Sequence, residues 1–145
     1  MGDLARAVDF LFIETQLNCK SDTNSWCKLA DRFFKLQSFK NAGYCYGRAL
    51  KCEKNNIELL YKKAQCYDKL KDVRGAVKYY EKIHLLVPEQ KEVVMKLGKL
   101  YVKVEQQHKA VWLMIEFLSG ARFGKARIDF DVANVCCELM VAKKR

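Results

Sequence analysis

Alanine returns at Ala42, Ala76 and Ala110, 34 residues apart each time, and its neighbours return with it. The first segment runs Trp26-x2-Leu29-Ala30-x2-Phe33, then Ala42-x3-Tyr46-x2-Ala49. The second runs Leu60-x2-Lys63-Ala64-x2-Tyr67, then Ala76-x3-Tyr80-x2-Ile83, and closes at Pro88. The third runs Val94-x2-Leu97-Gly98-x2-Tyr101, then Ala110-x3-Met114-x2-Phe117. Small and large side chains recur in one register without slipping. One such unit cannot bury its apolar face alone, so copies must stack and share a continuous core.

Within a unit the apolar period is helical. From Ile57 to Leu70, the residues Leu60, Ala64, Tyr67 and Leu70 step by three and four and fall on one face. The one proline, Pro88, lies between two expected helices, where it ends a helix rather than breaking one. Asn55-Asn56 marks the corresponding turn one unit earlier. Gln37-Ser38, Lys71-Asp72 and Glu105-Gln106-Gln107 fall at the turns inside the units. No stretch alternates with the period of two that a half-buried strand requires, so the expected fold is all-α.

This pattern resembles the tetratricopeptide repeat (TPR). The resemblance implies antiparallel pairs of helices, A and B, stacked into a right-handed superhelix. It places Ala30, Ala64 and Gly98 where helix A lies against helix B, with Ala42, Ala76 and Ala110 in the same role on helix B. Trp26, Phe33, Tyr46, Tyr67, Tyr80 and Tyr101 fill the space beside these contacts. The expected organisation is a single TPR domain over 1–145. It comprises a partial repeat (a helix B) in 1–20, repeats at 23–56, 57–90 and 91–124, and a terminal or capping helix in 125–145. That last helix is expected at about residues 129–143. The chain reads as starting half-way through a repeat, either as a fragment of a longer TPR protein or as a reduced one. Ala7 and Leu11 take the small and large roles in the first helix, and an apolar face at Ala7, Val8 and Leu11 would need a partner.

Composition narrows the function. None of the seven cysteines makes a CxxC pair, and His84 and His108 stand far from any cysteine pair, so zinc-site spacing is missing. Cys45 and Cys66 fall in packed positions as small apolar residues. An odd count with no disulfide framework points to a reducing compartment. No apolar run reaches the length of a membrane span, and Phe10 to Ile13, flanked by Asp9 and Glu14, is too short for a signal peptide. Gly120-Ala121-Arg122-Phe123-Gly124 reads as a helix-terminating turn rather than a phosphate loop, because no strand precedes it. No P-loop, HExxH or nucleophile–base motif is present, so the chain is expected to be no enzyme and to hold no cofactor or metal.

The net charge is +10, with lysine-rich stretches at Lys62-Lys63, Lys69 to Lys71, Lys96 to Lys103 and Lys143-Lys144-Arg145. Such charge either solvates helix faces or attracts nucleic acid or an acidic protein. Base-reading modules are absent, so a DNA contact would be indirect or at the level of phosphates.

In a TPR array the helix A faces line a concave groove. By the repeat register these are Asn24, Cys27, Asp31, Phe34 and Lys35, then Glu58, Tyr61, Gln65, Asp68 and Lys69, then Glu92, Met95, Lys99, Val102 and Lys103. The expected partner groove is Phe34, Lys35, Tyr61, Gln65, Lys69, Met95, Lys99, Val102 and Lys103, a mixed surface suited to a peptide or helix of a protein partner. Chaperone-binding TPRs hold a C-terminal carboxylate with Lys, Asn and Arg. Here the matching places hold Cys27, Asp31, Lys62, Glu92 and Lys96, and Asp31 and Glu92 would repel it.

One longer stretch is more specific. Gly2-Asp3-Leu4-Ala5-Arg6-Ala7, Leu17-Asn18-Cys19, Ser21-Asp22-Thr23 and Trp26-Cys27-Lys28-Leu29-Ala30 lead into Tyr44-Cys45-Tyr46-Gly47-Arg48-Ala49-Leu50-Lys51. With Tyr61 to Tyr67, Tyr79-Tyr80-Glu81-Lys82-Ile83 and Ile128-Asp129-Phe130, this resembles the TPR subunit of transcription factor IIIC over residues 2–130. The chain departs from that pattern in an extra residue before Trp26, in Cys19 where proline is usual, and in its shortness. The resemblance implies a nuclear, non-catalytic assembly subunit in RNA polymerase III transcription. Its partners would be RNA polymerase III initiation factors and other transcription factor IIIC subunits. The alternative is another intracellular TPR adaptor of a multiprotein complex, in the cell cycle, RNA processing or as a cochaperone, with a cytoplasmic location.

Overall fold

A computed structural model describes residues 2–17, 22–120 and 130–143, and places them in helices and short turns. In chain order these are α1 (Gly2–Leu17), α2 (Thr23–Lys35), α3 (Phe39–Cys52), α4 (Ile57–Lys69), α5 (Val73–Leu86), α6 (Lys91–Lys103), α7 (Gln107–Ser119) and α8 (Phe130–Lys143). They form two compact units, Met1–Ala76 and Val77–Arg145, with the division inside α5. Helices pack against their neighbours in sequence: α1 on α2, α2 on α3 and α3 on α4 in the first unit, α6 on α7 and α7 on α8 in the second.

The starts of α2, α4 and α5 are each fixed by a side-chain oxygen that satisfies an otherwise unpaired N–H. Asp22 accepts from the Ser25 N–H at 3.2 Å, Asn56 from that of Leu59 at 3.2 Å, and Asp72 from that of Gly75 at 3.1 Å. The Ser25 hydroxyl and N–H together hold the Asp22 carboxyl below the usual carboxylate range. Pro88 follows α5 in the connection to α6, as its lack of an N–H requires.

The turns inside the helix pairs repeat as strictly as the sequence. Gln37, Lys71 and Glu105 are the described non-glycine residues with positive φ, at 59°, 59° and 61°. Each is the left-handed residue of a Schellman motif. Gln37 and Ser38 donate N–H to the carbonyls of Phe34 and Phe33, Lys71 and Asp72 to those of Asp68 and Tyr67, and Glu105 and Gln106 to those of Val102 and Tyr101. Gly120 ends α7 in the same left-handed region, φ 64°. The rest of the Gly120–Gly124 stretch lies outside the described residues, as do Cys19 and Lys144-Arg145.

The small residues sit where backbones approach. Ala30, Ala42, Ala64, Ala76 and Ala110 have no exposed surface. A Cβ added to Gly98 on α6 would stand 2.4 Å from Met114 Cε on α7. The large residues fill the remainder: Trp26, Leu29, Phe33, Tyr46 and Leu60 in the first unit, Val94, Leu97, Met114, Phe117 and Val132 in the second.

The first helix differs from expectation by one residue of register. Val8 is buried, Ala7 is exposed and Leu11 is half-buried. Val8 and Phe12, four apart, form the packing stripe, and the Phe12 ring lies edge-on to Phe33 and Tyr44 at 5.8 and 5.9 Å. The exposed apolar side chains of α1 are Leu4, Phe10, Ile13 and Leu17. Five apolar residues between Val8 and Ile13 leave this helix without a unique face, so the bulkier aromatic sets the register.

Candidate protein-binding groove

The residues singled out for a partner groove all lie on α2, α4 and α6. In the first unit α2 carries Phe34 and Lys35, and α4 carries Tyr61, Gln65 and Lys69. Phe34, Tyr61 and Gln65 are half-buried, and Lys35 and Lys69 are exposed. Tyr61, Gln65 and Lys69 are each four apart, so one side of α4 presents them in a row. The Phe34 ring is held edge-on by Phe39 at 5.1 Å. In the second unit α6 carries Met95 and Val102, half-buried, with Lys99 and Lys103 exposed. Each helix thus offers half-buried apolar surface beside exposed ammonium groups. That arrangement can grip an apolar anchor and attract acidic neighbours.

Beside this surface lies a polar cluster that sequence reading missed. The Tyr46 hydroxyl of α3 donates to Asp31 Oδ1 of α2. Lys62 of α4 donates to the same oxygen at 3.1 Å and pairs with Glu58 at 3.5 Å. Its ammonium lies 5.8 Å from the Tyr46 ring centroid. Burial, and then the hydrogen bond to Asp31, push the Tyr46 hydroxyl well above the usual phenol range. Burial works to lower the Lys62 ammonium, but the bonds to Asp31 and Glu58 outweigh it and raise it. Burial also raises the nearby Cys27 thiol, against the opposing pull of Lys62. Asp31 therefore offers a carboxylate already shared between two donors, and Lys62 a charge already compensated. The partners are 15 and 31 residues apart, and no local motif announces them.

The second unit holds a related arrangement. The Tyr101 hydroxyl of α6 donates to Glu81 of α5, and burial followed by that bond raises its pKa. Lys96 lies 5.5 Å from the Tyr80 ring centroid. Among the described residues, no three His, Cys, Asp or Glu side chains come together as a metal site would require, and no helix is long and apolar enough to cross a membrane.

No family model matches the sequence. A curated human protein, General transcription factor 3C polypeptide 3, is 29% identical over 147 residues. The alignment covers 99% of this chain, and the chain spans 16% of that protein's length. Among solved structures, the MamA RS-1 ArsTM double mutant superposes with a TM-score of 0.69 at 18% identity, covering 97% of this chain and 76% of that one. Yeast Tom70 gives 0.68 at 14%, covering 84% and 24%. The first TPR of Spaghetti (RPAP3), solved bound to the HSP90 peptide SRMEEVD, gives 0.63 at 15%, covering 86% and 94%. At these identities the solved structures speak to fold. They agree with a 34-residue period that is written in the side chains and again in the turn backbone: the chain has the tetratricopeptide-repeat fold and is similar along its length to part of General transcription factor 3C polypeptide 3.

Proposed function

We propose that the chain is a non-catalytic protein-interaction scaffold acting as a transcription factor IIIC-like assembly subunit in RNA polymerase III initiation, in the nucleus. The observation that carries this is the extent of the similarity to the human polypeptide, 99% of the chain rather than one repeat. Repeats at 23–56, 57–90 and 91–124 would present Phe34, Lys35, Tyr61, Gln65 and Lys69, then Met95, Lys99, Val102 and Lys103, to a segment of a protein partner. The compensation of Lys62 by Asp31 and Glu58 weighs against a carboxylate-clamping cochaperone.

The test is capture from nuclear and cytosolic extract by the immobilised chain, with mass spectrometry of what is retained. Recovery of RNA polymerase III initiation factors or transcription factor IIIC subunits, lost on Tyr61→Ala or Met95→Glu, supports the proposal. Recovery of chaperones, or of an unrelated complex, sinks the transcription assignment. Retention that is indifferent to both substitutions sinks the groove.

A further inference from the structure

A second recess lies on the other side of α4. Lys63, Cys66, Tyr67 and Leu70 face away from the row of Tyr61, Gln65 and Lys69, and with α3 they wall a cleft of about 610 Å³. From α3 the walls are Lys40, Tyr44, Gly47, Arg48 and Lys51, beside Phe39 and Gly43. Four of the lining side chains are cationic, and among the described residues no carboxylate lines it. The α3 wall is ordered along the helix: Lys40, Tyr44, Gly47 and Lys51 step by three and four, a stripe of roughly 17 Å at the helical rise with an ammonium group at each end.

The floor is apolar and pinned. The Tyr44 ring meets Phe12 and Trp26 edge-on at 5.9 and 6.5 Å, and its hydroxyl accepts from Gln16 at 3.1 Å. Phe39 is held by Phe34. The Arg48 guanidinium lies 5.2 Å from the Trp26 centroid. Gly47 admits Lys63: a Cβ there would stand 2.6 Å from Lys63 Nζ, so this ammonium lies over bare helix in the middle of the recess.

We infer that the α3–α4 cleft is a docking site for an acidic peptide segment that carries apolar anchors. Four cations around an apolar floor complement carboxylates flanking a leucine or phenylalanine. Rings held in place by neighbouring rings make fixed walls that suit an inserted apolar side chain. The site is independent of the A-helix groove, since it uses α3 and the opposite face of α4.

The test is fluorescence anisotropy on the full chain. The probe is a labelled peptide of about twelve residues, mostly glutamate with two leucines and one phenylalanine, long enough to span the stripe as a helix. Lys40→Glu with Lys51→Glu, both exposed, should weaken binding about tenfold or more. Gly47→Ala moves the Lys63 ammonium without changing net charge, and should weaken it by about threefold or more. Lys28→Glu with Arg32→Glu on α2 makes the same net-charge change away from the cleft and should do far less. Circular dichroism confirms the fold of each variant. Absence of peptide binding, equal loss in both charge-reversed pairs, or no effect of Gly47→Ala overturns the proposal. Displacement of the peptide by an oligothymidylate of about ten nucleotides at lower concentration overturns it in favour of nucleic acid.

Discussion

Lys96 holds its ammonium 5.5 Å from the centre of the Tyr80 ring, and 34 residues earlier Lys62 does the same over Tyr46 at 5.8 Å. The period therefore extends past the small and large core residues to a cation on one helix A and an aromatic on the helix B before it. Lys62 also joins two carboxylates, Asp31 and Glu58.

Lys62→Ala should cost about 0.5–1 kcal/mol, a cation–π term with an ion pair discounted for solvent screening. Urea unfolding in low and high salt measures it, and the loss should shrink in high salt. A neutral result in both would show that Lys62 contributes nothing to stability through the Asp31 cluster.

The three left-handed turn residues carry side chains where glycine is unstrained. Gln37→Gly, Lys71→Gly and Glu105→Gly should each stabilise by roughly 0.5–1 kcal/mol, the relief of left-handed strain less the added freedom of the unfolded chain. Thermal melts of single and triple variants decide it. Destabilisation in all three would mean that their side chains contribute contacts worth more than the strain.

The close approaches differ in tolerance. Ala64, with no exposed surface, should lose about 1–3 kcal/mol on Ala64→Leu. Gly98→Ala meets only the terminal methyl of Met114, a flexible group, so its cost should be smaller, and Met114→Ala in the same chain should relieve it. Chemical denaturation of the single and double variants measures the coupling.

The thiols separate by burial. Burial pushes Cys66 up to about 11 and Cys45 up to about 12, from an ordinary value of 9.0, while Cys52 and Cys137 are exposed. Iodoacetamide at neutral pH should label Cys52 and Cys137 first and spare Cys45 and Cys66 in the folded chain. Because both folded values are raised, the stability they contribute is fully present below 9.0 and is lost as pH rises through about 11 and then about 12. Urea midpoints at neutral pH and near pH 10.5 should therefore fall in that order, and Cys45→Ala with Cys66→Ala should flatten the alkaline decline.

The helices and their turns were legible in the sequence because both follow one short-range period. Ala42, Ala64 and Ala110 are buried where that period puts them, and Gln37, Lys71 and Glu105 bend where it breaks. Register in α1 was not legible, since Val8, Phe10, Leu11, Phe12 and Ile13 give a helix apolar on several sides. The Asp31–Tyr46–Lys62 cluster was not legible either, because it joins three helices through a core tyrosine and two residues that look like ordinary solvated charges. The stripe from Lys40 to Lys51 stood in the sequence throughout. Only Lys63 arriving across Gly47 turns it into a cleft, and that needs α3 packed on α4.

The packing of α1 on α2, α2 on α3 and α3 on α4, and of α6 on α7 and α7 on α8, bears on how quickly each unit assembles. The described turns, of a few residues each, leave little loop to close, so the barrier there is set by local steps rather than by a search for distant partners. Any one helix pair can serve as the nucleus from which the next is templated. A lesion inside one pair should then slow growth through that pair while the others still form at their own rate.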